Sequence, residues 1–333
     1  MKAIVLNAFG DVSNFSITEM EEPKIQDDEV LVQIKATGFN PIDYQMRLGR
    51  RESRLMKSPV LGREFSGIVL RTGSKVDFFK PGDEVMSLAG SRGSNGTYAE
   101  LIALNQDLLA LKPKDISFEA AAAIPSSGVT AWHCFARMNA YEKSSIFING
   151  AAGGVGRFLI KLLKAYGSHK IVATAGSSES EETLKSLGLN EHQIINYKDK
   201  DATEQIKATR NGEGFDFSID LVGGQMADTA AEVLKVNGTY VDVTFLGTQQ
   251  TREILFDKGA SIINISGYAF ALSNRLNWYG QTLHLLTLLI EQGKIDAPEI
   301  NIVGNLAVET VQKAHEMMET NQVFGRKLIM KVA

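Results

Sequence analysis

The sequence predicts an α/β chain in two domains: a β-rich domain, interrupted in sequence, and a doubly wound parallel-sheet domain inserted within it. Three observations carry this reading. Short β-rich runs punctuated by glycine fill residues 1–110. Strands and helices then alternate through residue 267, the pattern of a parallel sheet. After residue 267 the alternation stops, and the remaining tail is too short to form a domain of its own. The tail is expected to fold back on the first domain. The predicted division is therefore 1–122 with 268–333, and 123–267 between them.

The first domain is expected to take its strands from "KAIVL", "EVLVQIKATG", "SGIVLRTG", "DEVMSLA" and "TYAELIAL", with turn signals at Gly73-Ser74 and Pro81-Gly82-Asp83. The alanine-rich stretch "SFEAAAAIPSSGVTAWHCFARM" reads as helical with a break from Pro125 to Gly128. Next come "SSIFING", a helix from Gly154, "KIVATA", a helix over 181–187, and "HQIINY". "FDFSIDLVG", the helix "ADTAAEVLKV", "GTYVDVTFLG" and "ASIINISG" complete the inserted domain. The tail supplies two amphipathic helices, "QTLHLLTLLIEQGK" and "AVETVQKAHEMME", and the strand "RKLIMKV". Neither an internal repeat nor a low-complexity tract is present in the sequence.

Composition narrows the function classes. The 333 residues are 44% apolar and 22% charged, enough to bury full cores. A formal net charge of -4 gives no basis for a nucleic-acid or acidic-membrane partner. The single cysteine, Cys134, excludes an internal disulfide and a cysteine-rich zinc site. The N-terminal segment lacks the apolar core of a signal peptide, and no run approaches the length of a spanning helix. A soluble, cytoplasmic protein is expected.

The most informative stretch is "INGAAGGVGRFLIKLLKAYG". Ala151 to Gly156 form an A-x-G-x-x-G variant of the dinucleotide fingerprint, following a strand and opening a helix. Gly153 would let the backbone approach a pyrophosphate, and Gly156 would let the helix pack closely on the sheet. Ala152, Gly154 and Val155 complete the turn, whose helix N-terminus favours an anion. At the end of the second strand, where an NAD site carries an acid for the ribose hydroxyls, stand Thr174-Ala175-Gly176-Ser177-Ser178. Small hydroxyl residues leave room for a 2′-phosphate, so NADPH is the expected cofactor.

With these residues in view, the chain resembles the zinc-independent quinone oxidoreductases of the medium-chain dehydrogenase/reductase superfamily. The likeness is carried by "GFNPIDYQMRLG", "PVLGREFSGIV", "KPGDEV", "GTYAEL", "IPSSGVTAW", "NGAAGGVG", "FDFSIDLVGG" and "GRKLIM", in that order. It implies a GroES-like β domain interrupted by a Rossmann domain. It also implies a homodimer formed through edge strands of the Rossmann sheet. The positions matching the zinc ligands of the superfamily's alcohol dehydrogenases are Asn40, Arg63 and the neighbourhood of Ser126, none a normal ligand. Chemistry without a metal is expected: reduction of a quinone or an α,β-unsaturated carbonyl, whose developing charge delocalises into the acceptor.

That chemistry needs polar groups to orient the acceptor and stabilise its oxyanion, so Asn40 and Tyr44 are expected on the substrate side, with Asp43 fixing their loop. The resemblance places Thr130 at the nicotinamide, Ser177 and Tyr197 at the 2′-phosphate, and Val222, Phe245 and Gly247 along the dinucleotide. Arg326 and Lys327 fall where the family's Gly-Lys pair approaches the cleft, and they are expected to bind the cofactor. The family's phosphate-binding lysine is replaced by Ser180.

Arg47, Arg50, Arg51, Arg54, Lys57 and Arg63 crowd one stretch beside the substrate loop. They read either as solvated surface charge or as a means of steering an anionic acyl thioester. The alternatives to quinone or enone reduction are thus an enoyl-thioester reductase and an NADPH-binding structural or sensory protein with little turnover.

Overall fold

The structure is a computed structural model and describes residues 1–90, 95–323 and 325–332. The chain divides into two compact units, Met1–Val129 with Ala269–Ala333, and Thr130–Tyr268. The first division falls inside the helix Pro125–Met138. The expected break at Pro125 to Gly128 is corrected: that helix begins at Pro125 and runs through Gly128, and the interruption lies ahead of it, after Phe118–Ala122. Proline is tolerated in the first turn of a helix because its missing N–H has no intrahelical partner there.

The unit Thr130–Tyr268 is built on six parallel strands. Their spatial order is Ile194–Asn196, Ile171–Ala175, Ile146–Ile148, Phe215–Asp220, Leu234–Asp242, Ser261–Asn264. Order reverses between Ile146–Ile148 and Phe215–Asp220, which places a switch point at the C-terminal ends of those two strands. Every residue of Ile146–Ile148 and Ile171–Ala175 is buried, as parallel strands covered on both faces require. The helix Gly154–Ala165 buries Phe158, Leu159, Ile160, Leu162 and Leu163, leaving Lys161 and Lys164 off its apolar stripe.

The other unit is a mixed sheet with helices. Its long strand Glu29–Gly38 pairs antiparallel with Glu64–Thr72 and Leu101–Asn105. The C-terminal strand Lys327–Lys331 adds antiparallel to Glu29–Gly38 on one side and parallel to Ile300–Asn305 on the other. The C-terminal strand and Glu29–Gly38 therefore share one sheet. A separate core gathers Ile4, Leu6, Phe39, Met46, Tyr98, Val311 and Leu328, drawn from both ends of the sequence. Among the described residues no helix is long and apolar enough to cross a membrane.

Candidate active site

In the unit Thr130–Tyr268, the glycine turn leads from the buried strand Ile146–Ile148 into the helix Gly154–Ala165. Gly156 is where backbone crowding is greatest: a Cβ there would lie 2.5 Å from the carbonyl oxygen of Ala151 and 2.6 Å from its Cα. Gly153, the N-cap, is exposed, and a Cβ on it would meet only the Gly150 carbonyl oxygen, at 3.2 Å. The turn thus presents bare backbone and helix N–H groups outward, the form an anion-binding turn takes. Ala152 and Val155 are half-buried and Gly154 is exposed.

Other residues expected at the cofactor follow neighbouring strands of the same sheet. Tyr197, following Ile194–Asn196, lays its ring over Gly176, where a Cβ would lie 2.3 Å from it. Its amide bonds to the Ala175 carbonyl, so Tyr197 and Ser177 are neighbours. The Ser177 hydroxyl accepts from the Ser180 amide at 3.3 Å. Ser180, which replaces the family's lysine, turns its hydroxyl inward: it accepts from the amides of Gly176 and Ser177 and donates to the Ser177 carbonyl. Its role is to close the turn.

After Phe215–Asp220, the buried Asp220 carboxylate accepts from the amides of Val222 and Gly223 and from Asn149 Nδ2. It also accepts from Thr244 Oγ1, so one carboxylate ties down the loops after two adjacent strands. Sequence reading passed over Asp220. On those loops Val222 is 45% exposed and Phe245 is 64% exposed, with Gly247 exposed as well. Phe245 has φ 57°, a conformation that bulky residues rarely adopt and that calls for an explanation. Apolar side chains held out of the core at strand C-terminal ends form a surface suited to a flat ring. Thr130 sits half-buried in the helix Pro125–Met138.

The second constellation belongs wholly to the other unit. Asn40 caps the short helix Pro41–Arg47, and its backbone N–H donates to Asp43 Oδ2 at 2.8 Å, half of a capping box. Its side chain is engaged at both ends. Nδ2 donates to Glu64 Oε1 at 2.8 Å, and Oδ1 accepts from Lys327 Nζ at 2.6 Å. Lys327 also pairs with Glu64 Oε1 at 2.5 Å, and Glu64 Oε2 accepts the Ser126 amide at 2.7 Å. Glu64 is fully buried, and its place is prepared by Gly38, directly opposite in the ladder: a Cβ there would lie 2.6 Å from Glu64 Oε1. Thr37 bonds the Glu64 carbonyl and Thr97, fixing the strand on either side.

Asp43 is fully buried, and its Oδ1 has no hydrogen-bond partner. Burial pushes its carboxyl up to about 7, against the pull of the Arg63 charge, the Asn40 amide and the Lys327 charge; Glu64 adds to the rise. Beneath it Tyr98 faces His315, hydroxyl to Nε2, at 3.1 Å. Burial, then the charge of Arg47, pushes His315 down to about 3, so the ring is neutral at pH 7. Tyr44 is half-buried and packs against the apolar core.

The structure brings Asn40, Asp43 and Lys327 into one neighbourhood, although sequence reading assigned Lys327 to the cofactor. Arg326 is exposed. Glu64 was missed; the signal for it was an acid opening the apolar strand "EFSGIVL". The basic stretch separates by role. Arg47 is buried, bonded to the Gly10 carbonyl and to Glu319, and Arg63 is buried. Arg50, Arg51, Arg54 and Lys57 are exposed. Among the described residues no three His, Cys, Asp or Glu side chains converge as a group that could hold a metal.

Comparison with known proteins finds a family match in each unit. Residues 26–114 match the alcohol dehydrogenase GroES-like domain, and residues 154–285 match the family described as zinc-binding dehydrogenase. An NADPH-dependent alkenal/one oxidoreductase, chloroplastic, of Arabidopsis thaliana is 31% identical over all of this chain and 80% of its own. A 2-methylene-furan-3-one reductase of Solanum lycopersicum is 31% identical over 99% of this chain and 79% of its own. The solved quinone oxidoreductase from Coxiella burnetii superposes with TM-score 0.84 at 29% identity, over 100% of this chain and 99% of that one.

Proposed function

The chain belongs to the medium-chain dehydrogenase/reductase superfamily, with its GroES-like and Rossmann domains, and on that premise we propose that it is an NADPH-dependent reductase of α,β-unsaturated carbonyls or quinones, acting without zinc. One observation carries the reading. The buried position that would offer a metal ligand holds Asn40, hydrogen-bonded to a lysine ammonium, with a second cation, Arg63, lowering the Asp43 carboxyl nearby. A side-chain amide already bonded to a carboxylate and an ammonium is not one of the usual ligands of zinc, whereas its remaining N–H suits an oxygen gaining negative charge.

The residues fit the cofactor. The outward-facing backbone at Gly153 and Gly154 would hold the pyrophosphate, Ser177 with Tyr197 the 2′-phosphate, and Val222, Phe245, Gly247 and Thr130 the remainder. When bound, NADPH supplies the hydride. The chain's own work lies at the acceptor. Asn40 keeps one Nδ2 hydrogen after serving Glu64, and it donates that hydrogen to the carbonyl oxygen as charge builds there. Tyr44 shapes the same side, and Asp43 holds the Asn40 backbone in place. Lys327 holds Asn40 Oδ1. The names of the Arabidopsis and tomato relatives, alkenal/one and methylene-furanone reductases, support a small enone as acceptor.

The test is NADPH oxidation by the purified protein against an open-chain enone, a simple quinone and an enoyl-CoA, repeated with NADH and after metal chelation. Turnover of enone or quinone with NADPH preferred and chelation without effect is expected. Activity that follows bound zinc refutes the metal-free chemistry, and a dominant enoyl-CoA rate moves the assignment to thioesters. Binding without any turnover points to a structural or sensory role.

The reading also includes a homodimer in the cytoplasm. The edge strand Ser261–Asn264 leaves Ile262 52% exposed, an apolar edge suited to pairing across a two-fold axis. Light scattering on the purified protein tests it.

A further inference from the structure

We propose that Glu64 and Lys327 are positioning residues that lock the side-chain amide of Asn40 in a single orientation; this rests on the role given to Asn40 above. An asparagine amide has two nearly isosteric ends, and turning it by half a circle exchanges a donor for an acceptor. Here the two ends are not equivalent. A carboxylate oxygen, which only accepts, lies 2.8 Å from Nδ2, and an ammonium, which only donates, lies 2.6 Å from Oδ1. Reversing the amide would set NH2 against NH3+ and C=O against COO−, breaking two charge-assisted hydrogen bonds and creating two repulsions.

The couple is itself held. Glu64 Oε1 bonds Lys327, and Oε2 is fixed by the Ser126 amide at 2.7 Å. Gly38 and Thr37 hold the strand that carries it. Glu64 is fully buried and the Lys327 side chain is 10% exposed, so neither charge is well screened by water. The remaining Nδ2 hydrogen therefore points one way in every molecule, and the donor needed by a developing oxyanion is in place before the acceptor arrives.

The experiment is a double-mutant cycle on turnover. Lys327→Met is made alone and in an Asn40→Ala background, and kcat and KM are measured with NADPH and an enone. With Asn40 present, kcat is expected to fall by about 10-fold, since Glu64 still holds Nδ2 while Oδ1 loses its anchor, and KM for NADPH to change by less than about threefold. With Asn40 already removed, Lys327→Met is expected to change kcat by less than about threefold, because there is no amide left to orient. Lys327→Arg, which keeps a cation and its donors, restores most of the rate. A lone buried carboxylate weighs on the single variant's stability, so Glu64→Gln with Lys327→Met removes both charges together; a glutamine amide can serve either end of Asn40, so kcat is expected to fall by about 100-fold.

An equal fall in both backgrounds overturns the proposal, because Lys327 would then act on its own. An unchanged kcat in the single variant overturns it too. Thermal unfolding of the same four proteins separates this inference from the functional reading. If the parent turns over no enone, yet Asn40 and Lys327 couple in stability, the orientation of the amide stands and the proposed reaction falls. If they couple in neither readout, the locked amide is refuted.

Discussion

Gly156→Ala is the sharpest test of how the nucleotide turn is built. The added methyl carbon would lie 2.5, 2.6 and 2.7 Å from the oxygen, Cα and carbonyl carbon of Ala151, all backbone atoms with no rotamer to relieve them. Ordinary contact begins at 3.4 Å, so the helix Gly154–Ala165 and the turn must separate by about 0.9 Å. Overpacking of this kind costs about 1–3 kcal/mol, and contact on three backbone atoms argues for the upper end. Alanine's helix propensity returns up to about 1 kcal/mol. The net loss of about 2 kcal/mol corresponds to about 4–8 °C in melting temperature for a unit of this size. The displaced turn is also expected to weaken NADPH binding by about 10-fold or more. Gly153→Ala is the control: its Cβ meets only the Gly150 oxygen, at 3.2 Å, so stability should barely change while affinity falls through obstruction of exposed backbone. The assays are thermal melting without ligand and fluorescence titration with NADPH. A Gly156→Ala protein that melts with the parent and binds NADPH normally refutes the close approach of helix and turn.

Three other outcomes follow from the site. Asp43 has its folded-state carboxyl raised from 3.8 to about 7, so the fold is favoured by its protonation at low pH and loses that contribution as pH climbs through 7. The melting temperature of the parent should therefore fall relative to that of Asp43→Asn across that interval; parallel curves refute the raised value, whatever the offset between them. Asn40→Ala should lower kcat with NADPH affinity nearly unchanged, since its contacts lie in the GroES-like unit; an equal loss of cofactor binding would make the residue structural. Arg47→Met leaves Glu319, 42% exposed on its side chain, free to hydrate, so a loss of about 1–3 kcal/mol and an unchanged preference among acceptors are expected. A shift toward or away from enoyl-CoA in that variant would return Arg47 to substrate steering.

What could be read from sequence follows the length scale of the signal. The alternation of strands and helices, the glycine turn and the returning tail are written in periodicities and in residues whose backbone needs are local. Gly156 and the Ser177–Tyr197 pair belong to this kind, since each depends on one turn or two adjacent strands. Glu64 and Lys327 do not: they are 263 positions apart, and their meeting depends on the register of three strands. Their partner Ser126 contributes a backbone amide, which no side-chain pattern advertises. Composition likewise failed to separate the basic stretch, because burial of Arg47 depends on Glu319 at the other end of the chain. Ser180 shows the reverse case, where a substitution read as a lost phosphate ligand turns out to serve its own turn.

The strand Lys327–Lys331 lies between two partners made long before and shortly before it, Glu29–Gly38 and Ile300–Asn305. On a ribosome, the nucleotide-binding unit Thr130–Tyr268 is complete while the first sheet still waits for this strand. Lys327 is its first residue, so the ammonium that meets Asn40 arrives with the closing of the sheet. A nascent chain halted before residue 327 would carry a finished dinucleotide turn and an unfinished acceptor site. On the proposed assignment, the site for the reductant would thus be complete before the site for the acceptor.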